Sequence, residues 1–312
     1  MTDSMPDAAG EGATKPRRCG FVALIGAPNA GKSTLLNRLV GAKVSIVTHK
    51  VQTTRNLVRG IALRDEAQIV FVDTPGIFQP RRRLDAAMVR SAWSGASDAD
   101  LVVLIADARK GLDDESRAII EKLSDVGHPK FLALNKIDDM RRDKLLEVTA
   151  QFSEAMAFDE IFMISALTGD GVDDLFTAIA RAMPEGPWLY PEDQISDFPM
   201  RQLAAEITRE KLYLRLHQEL PYESHVETES WEERKDGSVR VQQVIYVTRD
   251  SQRAIVLGKG GRTIKEIGAS SREELSEILG VPVHLFLFVK VRERWADDPE
   301  RYREMGLEFP EG

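Results

Sequence analysis

The sequence predicts two folded units in tandem: a mostly parallel α/β sheet with helices on both faces, then a smaller α+β domain. Three observations carry this. Five short apolar runs, residues 21–25, 69–72, 101–106, 131–134 and 161–164, are separated by amphipathic stretches such as 114–123 and 173–182. Buried strands that alternate with helices build a parallel sheet covered on both sides. The Pro-rich break Pro184-Glu185-Gly186-Pro187 then closes that order. Beyond it the pattern reads helix, strand, strand, helix, helix, strand, which puts helices on one side of a small sheet.

Taken in order, residues 1–18 carry Pro, Gly, Ala and scattered charges without an apolar run. They read as a disordered tail and not as a secretory signal. The first domain is expected over 19–184 and a Pro- and Asp-rich linker over 185–200. The second domain, with a C-terminal extension, takes 201–312. Its first helix is expected from about residue 200 to 220, with Leu203, Ile207 and Leu214 on one stripe. Asp236-Gly237 marks a hairpin, followed by a strand that alternates Val239, Val241, Ile245 and Val247. A later helix lines up Ile264, Ile267, Leu275 and Ile278, and a last strand alternates Val283, Leu285, Leu287, Val289 and Val291.

The chain has 312 residues, 43% of them hydrophobic and 29% charged, enough for two ordinary cores. No apolar run reaches the roughly 18 residues of a membrane-spanning helix. Cys19 is the one cysteine, which excludes an internal disulfide and a cysteine-based zinc cage and fits a reducing cytoplasm. The net charge of −8 argues against broad, non-specific nucleic-acid binding. It leaves room for a local basic site, because exposed charges are screened beyond roughly 10 Å.

Gly26-Ala27-Pro28-Asn29-Ala30-Gly31-Lys32-Ser33 matches the spacing of a phosphate-binding loop and lies between a strand and a helix, as such a loop requires. Its glycines let backbone amides turn towards phosphate oxygens, and the next helix presents its N-terminus to the same anion. Lys32 can reach the β- and γ-phosphates, and Ser33 can ligate Mg2+. Asn135-Lys136-Ile137-Asp138 follows a strand and selects the base. The Asp138 carboxylate can accept hydrogen bonds from guanine N1 and N2, whereas adenine would leave it unpaired, a difference that can reach about 10⁴-fold. Asn135 is expected to tie this loop to the phosphate loop, and the Lys136 stem to cover the base. In Ser165-Ala166 a backbone amide can meet guanine O6. Asp73-Thr74-Pro75-Gly76, ending another strand, offers a carboxylate for Mg2+ through water and an amide at Gly76 for the γ-phosphate, with Ile77 next along. Within Gln52-Thr53-Thr54-Arg55-Asn56, a threonine completes the Mg2+ shell; position favours Thr54, with Thr53 the alternative.

Gly258-Lys259-Gly260-Gly261 joins two helices of the second domain. Arg253, Lys259, Arg262 and Lys265 surround it, and no acid interrupts residues 251–265. A Gly-x-x-Gly loop in this setting resembles the clamp of a KH domain, which grips four backbone nucleotides of single-stranded RNA. The element order is similar to the type II arrangement. Ile255, Ile264 and Val244 are candidate walls for bases.

The five nucleotide boxes, in this order, resemble the translation-factor-like P-loop GTPases. The Gln-Thr-Thr-Arg box and the run Asp73-Thr74-Pro75-Gly76-Ile77 resemble its Era-like branch. So do Tyr190-Pro191-Glu192-Asp193-Gln194, Glu206-Ile207 with Arg209-Glu210-Lys211-Leu212, and Glu219-Leu220-Pro221-Tyr222. The likeness covers residues 18–308. It implies an α/β P-loop GTPase domain followed by an α+β KH type II domain. It also implies GTP and GDP as ligands, Mg2+ as cofactor, and slow hydrolysis of GTP. The expected partners are the 3′ end of small-subunit (16S) ribosomal RNA and the pre-ribosomal small subunit, whose assembly the protein would assist. A cytoplasmic monomer with some peripheral contact at the inner face of the plasma membrane is expected. The competing reading is a signalling GTPase whose last domain docks a protein or a membrane; the intact glycine clamp argues against it.

For hydrolysis, many GTPases place a water-orienting glutamine after the Asp-x-x-Gly box. Here Ile77-Phe78-Gln79 follow, and Gln79 lies too far along to be equivalent. In related GTPases with a hydrophobic residue at the glutamine position, an asparagine like Asn29 ligates K+. The resemblance therefore implies K+ as a second cofactor; the alternative is that Asn29 only shapes the loop. Lys32, Asn29, Thr54 and Gly76 are the residues expected to stabilise the reacting phosphate. Arg81-Arg82-Arg83 read as a solvated run, with RNA contact the alternative.

Overall fold

The computed structural model describes residues 16–48, 50, 54–55, 57–80, 82–216, 220, 223–293, 295 and 298–309. The tail read as disordered lies almost wholly outside these residues, as do Thr53 and Arg81.

The first domain is built on a six-stranded sheet of order β2-β3-β1-β4-β5-β6. The five apolar runs of the sequence are its five mutually parallel strands: β1 (Arg18–Ile25), β3 (Ala67–Asp73), β4 (Leu101–Asp107), β5 (Lys130–Asn135) and β6 (Glu160–Ile164). The edge strand β2 (Val58–Arg64) is antiparallel to β3 and was not anticipated. Arg59, Gly60 and Arg64 interrupt its apolar alternation, so its pairing comes from the tight turn at Asp65, whose φ is 51°. Leu35, Leu36 and Leu39 of α1 (Lys32–Val40) and Leu175, Ala178 and Ile179 of α5 (Val172–Ala182) fill one face. α2 (Arg83–Ser97), α3 (Asp114–Leu123) and α4 (Arg142–Ala155) cover the other through Ala92, Ala96, Ile119, Leu123 and Phe152. Ligands of such sheets bind beyond the carboxyl ends of the strands.

The second domain follows the expected order: α6 (Met200–Arg215), β7 (His225–Glu233), β8 (Val239–Val247), α7 (Asp250–Leu257), α8 (Arg262–Leu279), β9 (Val283–Val291). β8 pairs antiparallel with β7 and parallel with β9. Val239, Val241, Ile245 and Val247 are all buried, as their alternation predicts. Two expectations on α6 need correction. It stops at Arg215, short of residue 220, and Leu214 is 53% exposed. Leu212 and Tyr213 are buried instead, because this helix is covered by the first domain as well as by its own sheet.

That contact is extensive. Lys43 pairs with Glu210 (2.7 Å) and with Glu274, and Val47 N donates to Glu210 Oε1 (2.8 Å). Arg55, 1% exposed, donates to Ser224 O and to Tyr213 Oη, each at 2.9 Å, with its guanidinium 5.6 Å from the Trp295 ring. A further helix, α9 (Pro299–Glu304), lies in the C-terminal extension. Trp295, Tyr302, Met305 and Leu307 bury themselves with Leu84, Ala87 and Met88 of α2. The scattered apolar residues of the extension thus gather on one side, against α2.

Residues 185–199 are stitched to the sheet edge. Ile61 N donates to Ile195 O (2.8 Å), Ser196 Oγ to Arg59 O (2.7 Å), and Gln68 Oε1 accepts from Leu189 N (2.8 Å). No helix among the described residues is long and apolar enough to cross a membrane.

Candidate functional site

The phosphate loop leaves β1 at Gly26 and enters α1 at Lys32. At Gly26, with φ +154°, an added Cβ would lie 2.2 Å from Ile105 O, so no side chain fits. The backbone here presses against β4, and the turn stays tight. Asn29 adopts φ 61°, the left-handed turn geometry that asparagine tolerates. Lys32 is 6% exposed and folds back onto Gly26 O (3.1 Å) and Ala27 O (3.0 Å). Burial pushes its ammonium down to about 8, and Asp73 pulls the other way.

Ser33, Thr54 and Asp73 converge from three segments. Ser33 Oγ donates to Asp73 Oδ2 (2.7 Å) and lies 3.0 Å from Thr54 Oγ1, which is 3.3 Å from the same oxygen. Ser45, which the sequence did not single out, also donates to Asp73 Oδ2 (2.8 Å). Asp73 is fully buried, and its Oδ1 has no hydrogen-bond partner. Burial pushes its carboxyl up, against the pull of Lys32 and the three hydroxyls. An orphaned, buried carboxylate oxygen beside two hydroxyls is an all-oxygen donor set of the kind that suits Mg2+ with its remaining waters. The residues therefore fit a magnesium ion.

Gly76 faces the phosphate loop: a Cβ on it would sit 3.0 Å from Pro28 Cα. Thr74 Oγ1 donates to Leu24 O (2.8 Å), and Ile77 N to Gly26 O (3.1 Å). The Ile77 side chain is buried with Ala27, while Gln79 is exposed and does not line the cavity.

The base-side loop is cross-braced. Asn135 Nδ2 donates to Ala30 O (2.8 Å), and its Oδ1 accepts from Ala166 N (2.9 Å), tying three loops together. Lys136 Nζ donates to Asn29 O (2.6 Å) and Asp107 Oδ2 (2.7 Å). Arg109 forks onto Asp107 (2.8 Å) and reaches Asp139 (3.1 Å). Burial opposes ionisation of Asp107, yet the hydrogen bonds from Arg109 and Lys136 hold its pKa at about 2. A single cavity of about 750 Å³ is lined by Pro28, Lys32, Thr54, Gly76, Asn135 and Asp138 among others. That is the size of small-molecule sites. Ser165 is buried behind Ala166. The sequence missed Asp107 and Arg109, though Asp107 ends β4 where ligand loops begin.

In the second domain Gly258 turns from α7 at φ 70°, and a Cβ there would lie 2.2 Å from Thr263 Oγ1. Gly260 and Gly261 also have positive φ (61° and 76°), and α8 starts directly after. Arg253, Lys259, Arg262 and Lys265 are all exposed around this loop. Of the three proposed base walls, Ile255 is 55% exposed, whereas Ile264 packs against the core and Val244 is fully buried. Val244, with no exposed surface, cannot wall a base.

The model of a 50S ribosome-binding GTPase family matches residues 21–136, and that of the KH domain matches residues 219–296. The chain is 68% identical to the GTPase Era of Sinorhizobium medicae over 309 residues, covering 99% of each chain. It is 67% identical to that of Agrobacterium fabrum over 313 residues. Two crystal structures superpose with TM-scores of 0.88 at 38% identity, over 93% of this chain and 99% of theirs. One is an Era variant of Aquifex aeolicus bound to GDP and AlF4−; the other is Era with MgGDPNP and nucleotides 1506–1542 of 16S ribosomal RNA.

Proposed function

The chain belongs to the Era family of GTPases, and from that premise we propose that it loads its KH domain onto the 3′ end of 16S ribosomal RNA in the GTP-bound state and assists assembly of the small subunit. One observation carries the coupling: the loop that bears Thr54 at the nucleotide site is held by the second domain through Lys43, Val47 and Arg55. The related Era complex with both MgGDPNP and an RNA fragment supports two ligands on one chain.

Lys32 and the loop amides from Gly26 to Ser33 would bind the β- and γ-phosphates, and Asp138 would read guanine while the Lys136 stem, anchored on Asp107, covers it. Ser33 and Thr54 would hold Mg2+, with Asp73 acting through water; bound there, the ion would supply positive charge to neutralise the β- and γ-phosphates. The Gly76 amide would meet the γ-phosphate. Ile77 turns into the core, so no side chain at its position orients the attacking water, and slow turnover follows. Asn29 sits where a monovalent cation could replace an arginine finger. Faster hydrolysis in potassium than in sodium buffer is the expected result, and equal rates would remove K+ from the reading.

Arg253, Lys259, Arg262 and Lys265, with Gly258, Gly260 and Gly261, would grip the RNA backbone. Part of the same proposal is a cytoplasmic monomer with peripheral contact at the inner membrane face, supported by the family likeness and tested by vesicle co-sedimentation. The deciding experiment is crosslinking to small-subunit RNA with and without a non-hydrolysable GTP analogue. Protection confined to the 3′ terminus and dependent on nucleotide is expected; protection indifferent to nucleotide would sink the switch.

A further inference from the structure

Of the three hydroxyls on Asp73 Oδ2, two belong to the magnesium set proposed above. The third, from Ser45, does not. Ser45 is 3% exposed, and a buried hydroxyl is costly unless it is hydrogen-bonded, as this one is to Asp73. Its place is fixed from two directions. Asn37 on α1 accepts from Val44 N and Ser45 N, each at 2.9 Å, and donates to Ser45 O at 2.7 Å. Two residues on, Val47 N is held by Glu210 of α6. Ser33 and Thr54 would share their oxygens with a metal, whereas the Ser45 hydroxyl has no such second duty.

We propose that Ser45 is a positioning residue of the magnesium site: by occupying Asp73 Oδ2, it sets the carboxylate rotation that presents the orphaned Oδ1 to a metal-bound water. Partners that orient the ligand of a metal commonly change metal affinity by about 10- to 100-fold when removed. Asn37 carries the arrangement back to the phosphate-loop helix, so the carboxylate and the loop are aligned by one helix.

This inference rests on the reading of Ser33, Thr54 and Asp73 as the metal set. The test is release of a fluorescent GDP from the full-length protein across a Mg2+ titration, for wild type, Ser45→Ala and Ser45→Thr. GDP is chosen because it leaves out the γ-phosphate contacts. Wild type should release GDP more slowly as Mg2+ rises. Ser45→Ala should need about tenfold more Mg2+ for the same retention, with release in chelator and thermal unfolding unchanged. Ser45→Thr, which keeps the hydroxyl, should restore the wild-type response. A Ser45→Ala response to Mg2+ equal to that of wild type overturns the positioning role. So does faster release in chelator alone, which would mark a merely structural serine. A wild type indifferent to Mg2+ overturns the metal-site reading and this inference with it.

Discussion

Lys32 is a buried cation, with its pKa pushed down to about 8. In an unfolded chain it would titrate near about 10.4. Between those values the folded chain binds fewer protons than the unfolded one. The buried charge thus costs stability at neutral pH, and the cost is relieved as pH rises through the window. Phosphate oxygens reverse the shift, so GTP binding near pH 8 should take up roughly half a proton. Calorimetry in buffers of different ionisation enthalpy measures this, and a buffer-independent enthalpy contradicts it. Asp107 makes the opposite case. Its depressed pKa means that its contribution is complete above about pH 4 and is lost as pH falls towards 2. Asp107→Asn should weaken GDP binding about tenfold, the worth of one charge-assisted hydrogen bond to Lys136, as stopped-flow release would show. Motif spacing marks in the sequence the residues proposed for phosphate, base and metal, because each motif lies within one short segment. It hid Ser45, Asp107 and Arg109, which matter through side chains that meet across separate segments and so leave no spacing to read.

Among the elements, the α7–α8 junction carries the clearest expectation. Four exposed cations ring a loop of positive-φ glycines. If four phosphates are neutralised, RNA affinity should fall with salt at a log–log slope of about −3. Removing one contact, by Lys259→Ala or Arg262→Ala, should flatten that slope by about 0.7; filter binding across 50–300 mM salt, roughly the useful range, is the measurement. An unchanged slope in both variants would mean that the cations do not meet phosphate. The parallel strands were legible because full burial leaves unbroken apolar runs. β2 and the end of α6 were not: one is half polar and paired by its turn, and the other takes part of its burial from the first domain.

At the scale of the molecule, Arg55 joins the two domains one residue after Thr54. Arg55→Ala should leave both domains folded and lower the mutual effect of GTP and RNA, which for coupled sites is typically about 5- to 150-fold. GTP affinity measured with and without RNA gives the coupling, and an unchanged ratio would show that communication runs elsewhere. The segment 185–199 has a different consequence. By lying along β2 through Ile195 and Ser196, it blunts the outermost strand, whose bare amides and carbonyls would otherwise recruit strands from other molecules. Shortening the protein after Pro184 should therefore yield a sticky, precipitating first domain. Ending it after Phe198 should lessen that association, although Leu84 and Met88 are then uncovered in both fragments, and light scattering during concentration compares the two. The stretch between the domains thus doubles as a guard rail against self-association.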